Sequence, residues 1–323
     1  MKVLPLLLLA VAATASGATY NIAVIPKGTS HEFWKSIHAG AVKAQQELST
    51  QGHKININWK GPLREDDRDQ QIAVVENFTV RRVHGMVLAP LDSQALVAPV
   101  EKALVAKIPV VIIDSSLNSD KPVSYIATDN FKGGQIAAEH IGKMLGGQGN
   151  VVMLRYQVGS ASTEQREAGF MDVMQSKFPN IKLLSTDQYT GATRDSAQKV
   201  AQNVLNRFAR DVNAVFAPCE PVTVAVMLAL RDLKIAGGKV KLVGFDTGAL
   251  SVEGLKKGDV QGLVVQDPMQ MGYLGVKAIV DHVQGKKVEK VFHTGVHLIT
   301  PENMEQPAMK DLLYPPFAKY LDK

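Results

Sequence analysis

The chain has 323 residues, 46% of them hydrophobic and 21% charged, which is too apolar for disorder and too long for one ordinary core, so two lobes are expected. Thirty-six Lys and Arg against 31 Asp and Glu leave a formal charge of +5, with no basic run of the kind that tracks a phosphate backbone, which argues against nucleic-acid binding. The one cysteine, Cys219, excludes an intramolecular disulfide framework and any multi-cysteine metal site.

The first 18 residues open on Met1 and Lys2, continue with an almost wholly apolar run over 3–11, and close on small residues through Ala18. This is the pattern of a secretory signal peptide. The apolar run falls short of the roughly 20 residues that span a bilayer, and Pro5 interrupts it. Ala15 and Ala18 both satisfy the small-residue rule for cleavage, with Ala18 favoured. No cysteine lies nearby to carry a lipid, so the mature protein is expected to be soluble and periplasmic.

From Asn21 onward, short β-branched runs alternate with helical patterns. Runs at residues 22–25, 55–59, 86–89, 110–113 and 125–127 read as strands, and Ile37, Ala41, Ala44 and Leu48 between the first two lie on one face of an amphipathic helix. The charged run 64–69 reads as a solvated helix start. After a glycine-rich patch at 144–150, a second series of strands is predicted at 151–154, 182–184, 214–216, 241–245 and 263–265, separated by helices over 163–178, 193–208 and 221–233. Strand, helix, strand implies an α/β fold of two doubly wound parallel-sheet lobes. His293 and His297 are four apart, but Thr294-Gly295-Val296 between them reads as extended chain, so no metal site is expected there.

Open parallel sheets bind ligands outside the carboxyl ends of their strands. The residues at those ends are polar and aromatic: His31, Phe33 and Trp34 after the first strand; Asp114 and Ser115 after the fourth; Gln157, Tyr189, Cys219, Asp246 and Gln266 in the second series. Phe33 and Trp34 point about 100° apart on a helix, so both cannot enter one hydrophobic stripe. Such a set suits a sugar, because planar Asp, Gln and Arg groups contact neighbouring hydroxyls while ring C–H faces pack on aromatic planes.

Several segments then resemble, in order, the ribose-type periplasmic sugar-binding proteins of ABC transporters. They are residues 22–45, Ile108 to Asp114, Ala127-Thr128-Asp129-Asn130 with Gly133-Gly134, Arg166-Glu167-Ala168-Gly169-Phe170, Ala214-Val215-Phe216-Ala217, Val243-Gly244-Phe245-Asp246, and Val265-Gln266-Asp267-Pro268 with Gly272. The resemblance implies a first lobe of residues 19–128 with 267–294, a second of 129–266 with 295–323, and a three-segment hinge between them. It implies that Phe33 and Trp34 sandwich a sugar with Phe245, that Asp114, Arg166, Asp246 and Gln266 hold its hydroxyls, and that Thr128 adjoins the first crossover. His31, Ser115 and Cys219 stand where the family carries amides or a guanidinium, as does Ala89, which puts ribose itself in doubt and leaves a larger or differently hydroxylated polyol open. The tail from Thr300 outlasts the ribose-type end, with 312–316 able to pack on the second lobe.

The implied function is capture of a monosaccharide or related polyol by a monomeric receptor and its delivery to an ABC permease in the inner membrane, with no cofactor. A sensor presenting a sugar or signal molecule to a receptor kinase or chemoreceptor is the alternative. The signal peptide and the lack of a helix-turn-helix before Ile22 argue against a repressor effector domain of the same fold. No nucleophile elbow or Walker loop appears, so an enzyme is not expected.

Overall fold

The computed structural model describes residues 18–322; the signal-peptide reading falls on residues outside that range, apart from Ala18. In chain order the first half comprises β1 (Thr19–Ile25), α1 (Glu32–Thr50), β2 (Lys54–Trp59), α2 (Arg68–Val80), β3 (Gly85–Leu88), α3 (Val97–Val105), β4 (Val110–Ile113) and β5 (Ser124–Ala127). There follow α4 (Asn130–Met144), β6 (Gly149–Arg155), α5 (Ala161–Lys177), β7 (Ile181–Tyr189), α6 (Arg194–Phe208), β8 (Ala214–Phe216), α7 (Glu220–Asp232), β9 (Lys241–Phe245), α8 (Ala249–Lys257) and β10 (Gly262–Val265). The chain ends with α9 (Pro268–Val283), β11 (Val291–His293), β12 (His297–Ile299), α10 (Pro307–Leu313) and α11 (Ala318–Leu321).

Two six-stranded sheets result, ordered β2-β1-β3-β4-β5-β11 and β7-β6-β8-β9-β10-β12. The two orders are equivalent strand for strand, and all pairings are parallel except β10 with β12. The inner strands β3, β4, β8 and β10 are buried along their whole length, as expected of parallel strands covered by helices on both faces. Each sheet therefore carries two apolar layers, one per face. Neither β11 nor β12 is among the strands read from the sequence; each has three residues and lies at a sheet edge, so neither shows a continuous apolar run.

The chain passes between the sheets after β5, after β10 and between β11 and β12. At the first two passages an aspartate caps the next helix: Asp129 accepts from the Lys132 N–H and Asp267 from the Gln270 N–H, both at 2.9 Å. Such caps are worth about 1 kcal/mol. The Pro268 ring fits the first turn of α9, where its missing N–H costs no hydrogen bond.

Two helix pairs, α1 with α9 and α4 with α5, pack closely and in the same way. A Cβ at Gly40 would lie 1.9 Å from the Met269 carbonyl oxygen and one at Gly272 2.0 Å from that of Ile37. In the second lobe, a Cβ at Gly134 would lie 1.9 Å from the Arg166 carbonyl oxygen and one at Gly169 2.0 Å from that of Phe131. Each crossing thus needs glycine on both helices, and the second sets the height of Arg166. Gly134→Ala should destabilise the protein by about 3 kcal/mol, the upper range for an overpacked contact, read as a lowered urea midpoint; an unchanged midpoint would show that the crossing tolerates a methyl group.

Candidate functional site: a cleft between the lobes

The strand ends of both lobes face one another across a cavity of about 40 Å³ lined by Lys27, His31, Phe33, Trp34, Glu65, Asp114, Tyr156, Arg166, Cys219, Glu220, Asp246 and Gln266, among others. It sits where parallel topology opens a crevice, beside the switch points between β1 and β3 and between β6 and β8.

Asp114 and Asp246 occupy equivalent places, one residue beyond β4 and β9. Both adopt left-handed backbone conformations, with φ of 62° and 67°, and both donate their N–H to the neighbouring strand, to Ile126 at 3.1 Å and Val264 at 2.9 Å. Aspartate tolerates this region better than most residues, yet such strain costs on the order of 1 kcal/mol or more and gathers at functional sites. The twist carries each carboxylate into the cleft.

On the second lobe, Arg166 is 2% exposed. Its Nε donates to Asn130 Oδ1 at 2.8 Å and its Nη1 to the Pro218 carbonyl at 2.9 Å, with Asp246 Oδ2 at 3.7 Å. The guanidinium lies 3.9 Å from the centre of the Phe245 ring, a cation–π contact. Gln266 Nε2 donates to Asp246 Oδ1 at 2.5 Å. Burial pushes the Asp246 carboxyl up, against the opposing pull of Arg166.

On the first lobe, the buried Lys27 ammonium pairs with Asp114 Oδ2 at 3.2 Å and reaches across the cleft to Ser160 and Ser162, at 3.3 and 3.0 Å. Glu65 accepts from Trp34 Nε1 at 2.8 Å, pairs with His31 Nδ1 at 2.6 Å, and accepts a hydrogen bond from the Tyr156 hydroxyl of the other lobe at 2.9 Å. Burial acts to raise the Glu65 pKa, but the hydrogen bond and charge of His31, with Trp34 and Lys27, hold it below the ordinary range. Burial likewise acts to lower His31, and the Glu65 hydrogen bond with the charges of Glu65 and Glu220 outweighs it, so His31 is raised. Further ties between the lobes run from the Ser93 N–H to the Gly159 carbonyl, from the Ser162 N–H to Ser115 Oγ, and from the Ala249 N–H to Glu32 Oε2. The lobes are closed on one another.

His31, Phe33, Trp34, Asp114, Arg166, Cys219, Asp246 and Gln266 all line the cavity, and the Phe33 and Trp34 rings meet edge to face at 5.0 Å. The remaining residues singled out from the sequence stand elsewhere. Phe245 is fully buried behind Arg166, so its ring supports the guanidinium and does not line the cavity. The Ser115 hydroxyl is used by Ser162, and Gln157 donates to the Glu65 carbonyl at 3.0 Å. Thr128 is buried at the crossover with an unpartnered hydroxyl. Tyr189 is 40% exposed and accepts from Arg155 at the far end of β7. Glu65 corrects the reading of 64–69 as a solvated helix start: α2 begins only at Arg68, and Glu65 in the preceding loop turns inward because three donors await it. Lys27 and Tyr156 were visible as residues following strands. No local pattern marks Glu65.

The His31–Glu65 pair sets a pH window. The depressed Glu65 contributes stability above its ordinary value of 4.5, lost as pH falls through its folded pKa; the raised His31 contributes stability below 6.5, lost as pH rises through its folded pKa. His31→Gln should therefore lower Tm most at mildly acidic pH, between those two ordinary values, and less in alkaline buffer. A melting-temperature difference that stays constant with pH would mean the pair stays neutral.

Comparison with known proteins extends this geometry. Residues 22–287 match the periplasmic binding protein domain. The ribose import binding protein of Haemophilus influenzae is 30% identical over 284 residues, covering 88% of this chain and 92% of the relative; that of Salmonella typhimurium is 31% identical over 307 residues, covering 93% and 98%. Among solved structures, a carbohydrate transporter solute-binding protein from Agrobacterium radiobacter in complex with D-arabinose is 32% identical with a TM-score of 0.85, covering 92% of this chain and 99% of the other. An ABC transporter solute-binding protein from Agrobacterium vitis with bound D-fucose is 33% identical with the same TM-score, covering 91% and 100%.

Proposed function

The chain belongs to the periplasmic binding protein domain family, and from that membership we propose that it is an extracytoplasmic receptor that captures a monosaccharide or related polyol between its lobes and delivers it to an ABC importer. The named relatives are binding proteins, and this chain is read as one, not as an enzyme.

The observation that carries the reading is the composition of the cleft. Asp114 from the first lobe and Asp246, Gln266 and Arg166 from the second converge on a cavity that also holds the Phe33 and Trp34 rings. Hydroxyls bound by ionised partners gain roughly 1.5 to 3 kcal/mol each, and the aromatic faces take the C–H surface of a sugar ring. Contacts from both lobes are complete only in the closed state, so ligand shifts the population toward closure. The lobes, taken as 19–128 with 267–294 and 129–266 with 295–323, would turn about the three crossing segments. The periplasm is the proposed compartment, the inner-membrane permease the proposed partner, and a monomer the proposed form.

Calorimetry with D-ribose, D-allose, D-arabinose, D-fucose and simple pentitols tests the reading. At least one should bind at micromolar Kd or tighter, about −8 kcal/mol; a panel with nothing tighter than millimolar, about −4 kcal/mol, sinks it. Asp246→Ala should cost that ligand about 2 to 5 kcal/mol, because a hydroxyl and Arg166 lose their charged partner in a closed site. Wild-type affinity in the variant would place the ligand elsewhere.

A further inference from the structure

We propose that Glu220 is a specificity-determining contact of this cleft, accepting a hydrogen bond from one hydroxyl of the ligand. The proposal rests on the sugar-binding reading above and gives a role to a residue that follows β8 beside Cys219 and that the resemblance does not assign. Glu220 opens α7, is 4% exposed and lines the cavity. Its Oε1 is held by Arg194 at 2.5 Å, while its Oε2 is buried without any partner.

A buried carboxylate oxygen without a donor is costly, and no neighbouring side chain hydrogen-bonds to this one. Arg194 Nη2 serves Oε1, His31 Nδ1 faces Glu65, and the Lys27 ammonium is occupied by Asp114, Ser160 and Ser162. Gln266 Oε1 is orphaned in the same way. Asp246 joins the two, receiving Gln266 Nε2 on one oxygen and the Glu220 N–H, at 3.3 Å, on the other. The second lobe thus presents an arc of acceptors, Gln266, Asp246 and Glu220, in which Gln266 Oε1 and Glu220 Oε2 lack donors that the ligand supplies. A run of adjacent free hydroxyls satisfies that arc; a deoxy or N-acetylated position facing it does not.

The test uses the tightest-binding member of the sugar panel together with its monodeoxy derivatives, with Kd measured on wild type and on Glu220→Ala. One deoxy position should cost wild type at least tenfold, and that penalty should vanish in Glu220→Ala while the penalties at other positions persist. Glu220→Gln, which keeps an oxygen for Arg194, should show the same selective loss and serves if the alanine variant fails to fold. Penalties that all survive both substitutions overturn the role of Glu220 and leave the sugar reading intact. A panel with no binder at all overturns the sugar reading, and this inference with it.

The C-terminal tail carries a second, independent inference: we infer that residues 314–321 tie the lobes together as a fourth connection. The tail does pack on the second lobe, where Leu313 is buried in the core beside Met309 and Leu312, and Tyr314 sits under the Lys256 ammonium at 5.2 Å. It does not stop there. The stiff Pro315-Pro316 step leads to α11, which lies against α1 of the first lobe. Beneath the strap is a space of about 480 Å³ bounded by Phe33, Ser36, Val252, Pro268 and Phe317. Phe33 also lines the sugar cleft, so the strap crosses beside the ligand.

Spin labels at Val80→Cys and Asp187→Cys, both exposed and on different lobes while native Cys219 is buried, report the lobe separation without any sugar. Adding Phe317→Asp and Leu321→Asp should lengthen and broaden the distance distribution while leaving the circular-dichroism spectrum unchanged. An identical distribution in the two proteins would show that the strap bears no load.

Discussion

A charge taken out of water must find a partner, and the cleft is organised around that requirement. Lys27, Glu65, Asp114, Arg166, Glu220 and Asp246 are each less than 9% exposed, and each meets an opposite charge: Lys27 with Asp114, Glu65 with His31, Arg166 with Asp246, Glu220 with Arg194. Breaking such a pair is far more damaging than replacing it whole, because one ion is then left buried alone. The balance also explains why a neutral ligand fits: the protein supplies its own counter-charges, and what stays unsatisfied is lone pairs that want hydroxyl protons.

The scaffold that holds these charges is used twice. Equivalent sheets place Asp114 and Asp246 at equivalent strand ends, both in left-handed backbone conformations. Equivalent glycine pairs bring α1 onto α9 and α4 onto α5 at backbone contact. Asp129 and Asp267 cap the helices that follow two of the crossings. The repetition ends at the cleft itself. The first lobe contributes an ammonium, an imidazole, two carboxylates and the Phe33 and Trp34 rings, and the second a guanidinium with an arc of acceptors. A ligand held between them meets two different walls, so it is oriented as well as enclosed.

Much of this was legible in the residues. Strand ends in a parallel sheet are addresses, so Asp114, Asp246 and Gln266 could be found by counting from apolar runs, and Arg166 from its place in a matched motif. Phe245 shows where that logic stops, because its motif said it was near the site and only packing showed that it stands behind Arg166. Tyr189 fails for a related reason: β7 is an edge strand, and its last residue is 40% exposed and takes a hydrogen bond from Arg155, its partner on β6. For Glu65 the sequence offered only an acidic residue near a helix start, where a solvated or capping carboxylate is ordinary, and Glu220 was marked by nothing more than its place after β8.

Periodicity is written in the residues: continuous apolar strands alternating with amphipathic helices admit little besides two doubly wound lobes, and the ends of those strands name a cleft. Which polar groups in that cleft are already partnered is settled by the packing of one lobe on the other. Lys27 finds its serines, Glu65 its tyrosine and the tail its hold on the first lobe through contacts between residues far apart in the chain. Such partners are set by how the lobes close, and closure depends on distances that no local pattern encodes.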